Sequence, residues 1–304
     1  MPRRRITFRQ LETFTKVAEL RSYSRAAEVL HLTQPAISIQ IRQIADVMGL
    51  PLFEQNGRHA ELTAAGQELL ATARELDDVW TRFETAVDAL KGLRRGRLRV
   101  ALVTTAKYFL PRLLGAFCKR YPEIDIELEV ANRERIVERI RANLDDLYVM
   151  TYPPEDIDVI SHPFLDNEMV VVAPIDHPAR GREVDLAELA NERFILREPG
   201  SGARRTIDPY LAQRGIALNV KLSLSSNEAI RELVASGVGL SILSRHALPA
   251  EPDKEGLAVL DVAGFPLHKA WNVVHRRGKL LSRPAEAFMQ ELLQTVWIRP
   301  LTDR

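Results

Sequence analysis

The stretch Ser24-Arg25-Ala26-Ala27-Glu28-Val29-Leu30-His31-Leu32-Thr33-Gln34-Pro35-Ala36-Ile37-Ser38 decides the fold, because it spells a short helix, a tight turn and the capped start of a second helix. Thr33 can cap a helix whose first turn holds Pro35, where a missing N–H costs nothing, and Leu32 and Ile37 stand at the two positions of a hydrophobic staple. The apolar residues then continue from Ile37 to Ile41, Ile44 and Met48, the 4-3-4 spacing of one buried helix face. The opposite face presents Gln34, Pro35, Ser38, Ile39 and Arg42, groups of the kind that approach base edges and phosphates in a DNA major groove. In the preceding helix Ser24 stands in a capping position, and Ala26 and Ala27 let it pack close; His31-Leu32 is the turn.

Outward from this pair, Thr7 to Leu20 reads as a first helix with Leu11, Phe14, Val17 and Ala18 toward the core. On the other side, short extended pieces around Asn56-Gly57 predict a hairpin, hence a wing, with Arg58 and His59 at its tip as candidates for phosphate contact. A long helix is expected from Thr63 to about Leu90. Its apolar residues Leu69, Ala73, Leu76, Trp80, Phe83, Val87 and Leu90 follow a 4-3-4-3-4-3 spacing with charged residues between. A strict seven-residue repeat of this kind argues for a coiled-coil seam against a second copy of the chain, with Leu69, Leu76, Trp80, Phe83 and Val87 in it. Lys91 to Arg97, with two glycines and four basic residues, reads as a hinge.

The run from Ser24 to Ser38, together with Gly49-Leu50-Pro51-Leu52-Phe53-Glu54 and Leu62-Thr63-Ala64-Ala65-Gly66, resembles the DNA-binding domain of LysR-type transcriptional regulators. The long helix is likewise similar to that family's linker helix. The resemblance implies double-stranded operator DNA as a partner, a homo-oligomer (dimer or tetramer), and RNA polymerase as a further contact.

Composition is compatible with this. At 304 residues, 46% hydrophobic and 27% charged, the chain has the make-up of a globular protein of two or three domains. No apolar run has the length of a membrane span, and the single cysteine, Cys118, excludes an internal disulfide and fits a reducing cytoplasm. Cys118 is expected to fill core beside Leu113, Leu114 and Phe117. The net charge of +1 divides unevenly: residues 1–60 hold nine Lys or Arg against five Asp or Glu, a net +4, so the remainder carries about −3. A basic head on a mildly acidic body suits contact with phosphates; the consecutive Arg3, Arg4 and Arg5 read equally as part of that head or as a solvated tail.

From residue 97 onward strands and helices alternate, the pattern of a parallel sheet wound on both sides. Strands are expected at 97–103, 125–130, 147–150, 169–173, 194–196, 220–224, 240–243 and 268–275, and helices at 108–121, 133–143, 204–214, 227–236 and 284–294. Two α/β lobes joined by two crossings near 151–163 and 264–271 follow, which is similar to periplasmic binding proteins and to LysR-type effector domains. The expected fold is therefore an N-terminal all-α winged helix-turn-helix (1–63), a linker or dimerisation helix and hinge (64–96), and a two-lobed effector domain, lobe I at 97–162 plus 268–304 and lobe II at 163–267.

The body shows no glycine-rich phosphate loop, dinucleotide fingerprint, His-Glu-x-x-His or nucleophile elbow, and its histidines lack ligand spacing, so neither an enzyme, a metal site nor a cofactor is expected. It does show helix starts fitted for an anion. Glu198-Pro199-Gly200-Ser201-Gly202 leads into the helix holding Arg204 and Arg205; Thr104-Thr105 precedes a helix with Lys107 beside it; Ser225-Ser226-Asn227-Glu228 reads as a capping box. Thr104, Thr105, Lys107, Ser201, Gly202, Arg204 and Asn227 are thus candidate effector-binding residues at the carboxyl ends of strands. Thr104-Thr105-Ala106-Lys107-Tyr108-Phe109 and Asp145-Asp146-Leu147-Tyr148, followed by Pro153-Pro154, resemble the carbon-fixation (CbbR- or CmpR-like) branch of the LysR-type family, with Tyr148 where most of the family has a small residue. That branch implies phosphorylated sugars, related metabolites or nucleotides as effectors. A solute-binding protein of transport would share the two-lobed body, but it would need an export signal and no basic helix-turn-helix; an α/β metabolic enzyme is the third reading.

Overall fold

The computed structural model describes residues 6–56, 59–90 and 96–294 and divides into two compact units between Glu84 and Thr85. The expected wing contact Arg58, the arginines at 3–5 and the hinge residues 91–95 lie outside the described residues.

In the first unit, α1 (Phe8–Leu20) begins with a capping box between Thr7 and Gln10. Helix α2 (Tyr23–Val29) is capped by Ser22 rather than by Ser24. Ser24, two residues later, instead donates its hydroxyl to Gln34 Oε1 at 3.2 Å. Helix α3 (Gln34–Met48) is capped by Thr33 and ends at Gly49, whose φ of 73° is the left-handed stop that glycine adopts freely. Ile37, Ile41 and Ile44 are buried with Phe14, Val17, Ala26 and Ala27; Met48 is exposed, because α3 has by then run past the helices it packs on. Strands β1 (Phe53–Asn56) and β2 (His59–Leu62) pair antiparallel as the hairpin. Helix α4 (Ala64–Leu90) starts where Thr63 Oγ1 accepts from Gly66 N and donates to Pro51 O. Gly66 is needed there, since a Cβ would collide with the Leu52 carbonyl.

The second unit runs β3 (Gly96–Val103), a 3-10 turn (Thr104–Tyr108), α5 (Leu110–Arg120), β4 (Ile124–Ala131), α6 (Arg133–Arg141), β5 (Leu147–Met150) and a long β6 (Val159–Pro174). There follow β7 (Glu183–Val184), α7 (Leu186–Leu189), β8 (Arg193–Arg197), α8 (Gly202–Arg214), β9 (Asn219–Leu224), α9 (Asn227–Ala235), β10 (Ser241–Ser244), β11 (Leu257–Val262), β12 (Leu267–Arg276) and α10 (Arg283–Gln294). The sheet order is β4-β3-β5-β12-β6-β11-β7, with β10 also on β6 and a separate parallel pair β8-β9.

This sheet is mixed, not the uniformly parallel one expected. Strands β3, β4 and β5 are parallel, but β12 is antiparallel to both β5 and β6, and β10 and β11 are antiparallel to β6. The reason is β6: expected only at 169–173, it extends from Val159 and pairs with β12 from Leu267↔Met169 to Arg276↔Val159, so one antiparallel ribbon carries both crossings between the lobes. Along β6, Met169, Val171 and Ala173 enter one core while Val170 and Val172 enter the other, the period-2 signature of a strand covered on both faces. Beyond the crossing, Leu98, Val100, Leu102, Phe117, Trp271 and Phe288 pack between the sheet and α5 and α10.

Two local corrections, and one placement, follow from packing. The helix expected from Tyr108 begins at Leu110, with Pro111 in its first turn, after a separate 3-10 turn. Cys118 is exposed on α5, one position past the buried Phe117. Tyr148 is fully buried against Ile136, Ile140 and Met150, its hydroxyl donating to Arg139 O at 3.0 Å. Burial therefore pushes its pKa upward.

Candidate DNA-binding face and effector cleft

On the first unit, Gln34, Pro35, Ile39 and Arg42 are exposed on α3 and Ser38 is half-buried. The face is held rigidly. Thr13 Oγ1 donates to Gln40 Oε1 at 2.7 Å and Gln10 Nε2 to Gln43 Oε1 at 2.9 Å, tying α3 to α1. Exposed Ile39 is the one large apolar side chain on this face, suited to a thymine methyl, while Gln34 and Ser38 can read base edges and Arg42 a phosphate.

The heptad helix divides into two parts. Leu69 is buried in the core of the head and Ala73 is buried beside it, so Leu69 does not lie on an outward seam. From Leu76 the repeat surfaces: Trp80 is 47% and Phe83 55% exposed, with ring centroids 5.5 Å apart, and Val87 is half-buried. Phe8 of α1, which the heptad spacing could not include, joins them with its ring 5.4 Å from Trp80. An exposed aromatic cluster of this kind marks an interaction surface.

In the second unit a small cavity of about 30 Å³ lies between the two lobes. Thr104, Thr105, Ser201, Gly202 and Asn227 line it, together with Asn132, Arg133, Thr151, Arg197, Glu198 and Trp271. Each expected residue arrives at the end of a strand. Thr104 and Thr105 follow β3, Ser201 caps α8 by accepting from Arg204 N, and Asn227 opens α9 beneath its cap, Ser226. Ser226 bonds Glu228 by its hydroxyl, but Glu228 stands one residue too early to close a capping box. Gly202 allows a close approach, because a Cβ there would sit 2.7 Å from Thr151 Oγ1.

The cations differ from expectation. Lys107 and Arg204 do not line the cavity. Lys107 pairs with Glu228 at 2.8 Å and Arg204 with Asp208 at 2.8 Å, while Arg205 lies 5.3 Å from the Tyr152 ring. Partial burial alone would raise the Glu228 carboxyl, but hydrogen bonds from Lys107, Tyr108, its own backbone N–H and Ser226 together outweigh it and hold the pKa at about 2. The cation inside the cavity is Arg197, last residue of β8 and only 4% exposed. Its Nη1 donates to Thr105 Oγ1 at 3.3 Å and to Asn227 Oδ1 at 2.9 Å; its Nε and Nη2 grip the Glu198 carboxylate at 2.8 and 3.0 Å. Asn227 Nδ2 closes the ring by donating to Thr105 Oγ1 at 3.2 Å. Arg133, at the N-terminus of α6, is a second lining cation; burial lowers its pKa first, and the nearby Arg205 lowers it further.

A buried guanidinium among hydroxyls, an amide and helix starts can hold an anion. Among the described residues no helix is long and apolar enough to cross a membrane.

Comparison with known proteins matches residues 8–67 to the bacterial regulatory helix-turn-helix protein model of the lysR family and residues 91–297 to the LysR substrate binding domain. The chain is 43% identical over 290 residues to a RuBisCO operon transcriptional regulator of Acidithiobacillus ferrooxidans, covering 95% of this chain and 94% of the relative. It is 42% identical over 287 residues to the HTH-type transcriptional activator CmpR of Synechocystis, covering 94% of each. The solved regulatory domain of Synechocystis CcmR in complex with 2-PG superposes with a TM-score of 0.63 at 44% identity, covering 66% of this chain and 96% of that one. With a helix-turn-helix head, a two-lobed binding body and relatives matched nearly end to end, the chain belongs to the LysR family and is a DNA-binding transcriptional regulator, not an enzyme.

Proposed function

We propose that this regulator controls carbon-fixation genes in the cytoplasm in response to a phosphorylated metabolite bound between the lobes of its effector domain. The observation that carries the reading is Arg197, a cation buried in the interlobe cavity with Thr105 and Asn227 fixed on one edge of its guanidinium. Desolvation makes such a site discriminate strongly between a charged and a neutral ligand. The names of the relatives, RuBisCO operon regulators and CmpR, support the choice of target genes. The 2-phosphoglycolate bound by the CcmR domain supports the ligand class.

On this reading Thr104, Thr105, Ser201, Gly202 and Asn227 bind the effector and Arg197 supplies the charge first sought in Lys107 and Arg204. Gln34, Pro35, Ser38, Ile39 and Arg42 contact operator DNA, with Arg58 on the wing. Leu76, Trp80, Phe83 and Val87 join two chains, so that two heads meet two half-sites. Residues 1–63, 64–96, 97–162 with 268–304, and 163–267 are then head, linker, and lobes I and II. Calorimetry of the full chain with 2-phosphoglycolate, ribulose bisphosphate and NADPH against unphosphorylated counterparts tests the reading. Binding of none of the phosphorylated compounds would refute the cleft, while a genomic map of bound DNA without carbon-fixation promoters would refute the target.

A further inference from the structure

Two cavities adjoin in the effector body. The small cavity of about 30 Å³ and a larger groove of about 380 Å³ share Asn132, Arg133, Glu198 and Ser201 in their linings. Of these, Glu198 carries the carboxylate that grips Arg197 through two parallel bonds, the same fork geometry by which a guanidinium holds a phosphate. The two partners are not equally placed. Arg197 is 4% exposed, whereas Glu198 is 26% exposed and faces the groove, so the cation is built in and the carboxylate stands at the watered side.

The guanidinium cannot easily follow its partner outward, since Nη1 is tied to Thr105 and Asn227. Nor need the backbone move for the carboxylate to leave: Glu198 N is bonded to Leu224 O at 3.1 Å and its carbonyl accepts from Ser201 N at 3.2 Å. The adjoining groove is wide enough to receive a rotated glutamate side chain.

We propose that Glu198 is an internal stand-in for the effector's anionic group. Its carboxylate holds the anion position on Arg197 in the arrangement described above and swings into the groove when a more highly charged anion replaces it. This rests on the reading of Arg197 as the anion-binding cation of the cleft. The exchange sets a threshold for the ligand. A carboxylate from solution carries the same single charge as Glu198 and lacks the advantage of a tether, so it loses the competition. A phosphate monoester near neutral pH carries up to two charges and three strong acceptor oxygens, so it wins. Glu198 would then select phosphorylated compounds over simple carboxylates. The competing account makes Glu198 only the partner that keeps a buried arginine satisfied and ordered, and predicts a loss of folding stability with no gain in affinity when it is removed.

The test is calorimetric titration of the full chain, unaltered and as Glu198→Gln and Glu198→Ala, with 2-phosphoglycolate and with glycolate, thermal unfolding confirming that each variant is folded. We expect 2-phosphoglycolate to bind both variants about tenfold more tightly than the unaltered chain, the scale of one charged hydrogen bond, and glycolate to bind measurably only to the variants. Unchanged or weaker binding of 2-phosphoglycolate by a folded variant would overturn the proposal. If the unaltered chain binds and the variants gain nothing, the Glu198 assignment alone falls; if none of the three proteins binds, the cleft reading falls with it.

Discussion

Replacing Arg197 with methionine keeps most of the volume of the buried side chain and removes its charge, so it separates a binding role from a packing role. Two costs can be worked out from the geometry. For folding, Asn227 Oδ1, itself nearly inaccessible, loses the 2.9 Å bond from Nη1, which costs about 1–3 kcal/mol for a buried acceptor left unsatisfied. Glu198 adds little, since it is 26% exposed and can rehydrate, and Thr105 Oγ1 keeps the bond from Asn227 Nδ2. Set against roughly 5–15 kcal/mol of total stability, the variant should fold with a lowered unfolding temperature. For binding, a guanidinium fork on a phosphate makes two charge-assisted bonds of about 1.5–3 kcal/mol each, so affinity for 2-phosphoglycolate should fall about a hundredfold or more. Calorimetry gives the affinity and thermal unfolding the stability. A folded Arg197→Met chain that binds within about threefold of the unaltered one would refute the assignment of the anion site.

Trp80→Glu with Phe83→Glu should leave each unit folded, because both rings are about half exposed, yet separate the oligomer; an unchanged sedimentation coefficient would place the seam elsewhere. Arg42→Ala should weaken DNA binding similarly on all sequences and flatten its salt dependence, whereas Gln34→Ala and Ser38→Ala should change sequence preference by about 1–3 kcal/mol per lost base contact, read by competition binding. Burial pushes the His275 imidazole below its ordinary pKa, so the unfolded chain takes up a proton near pH 6.5 that the folded chain resists. Stability is therefore full above that pH and declines as pH falls below about 6.5, and His275→Gln should flatten this decline in urea titrations across the range.

What could be read from the sequence was what neighbours along the chain decide. Thr33, Pro35 and the isoleucines of α3 act within one helix, so cap, start and buried face were legible from spacing, and the strand-end turns holding Thr104, Ser201 and Asn227 were legible for the same reason. Pairing between distant segments was not. Leu69 and Leu76 stand one heptad apart with the same character, yet one is buried in the head's core and the other is exposed, because the surface that covers α4 ends between them. Strand β6 was underestimated because its first half, Val159 to Glu168, mixes polar and apolar residues and acquires its partner only from β12, about a hundred residues later. The cation of the cleft shows the limit most clearly. Lys107, Arg197, Arg204 and Arg205 all lie close in sequence to the three turns, and spacing cannot tell which of them points inward. Tertiary structure decided it: Glu228, from the start of α9, pairs with Lys107 outside the cavity lining, and the end of a buried strand leaves Arg197 to face the cavity between the lobes, while Arg204 pairs with Asp208 one turn along its own helix.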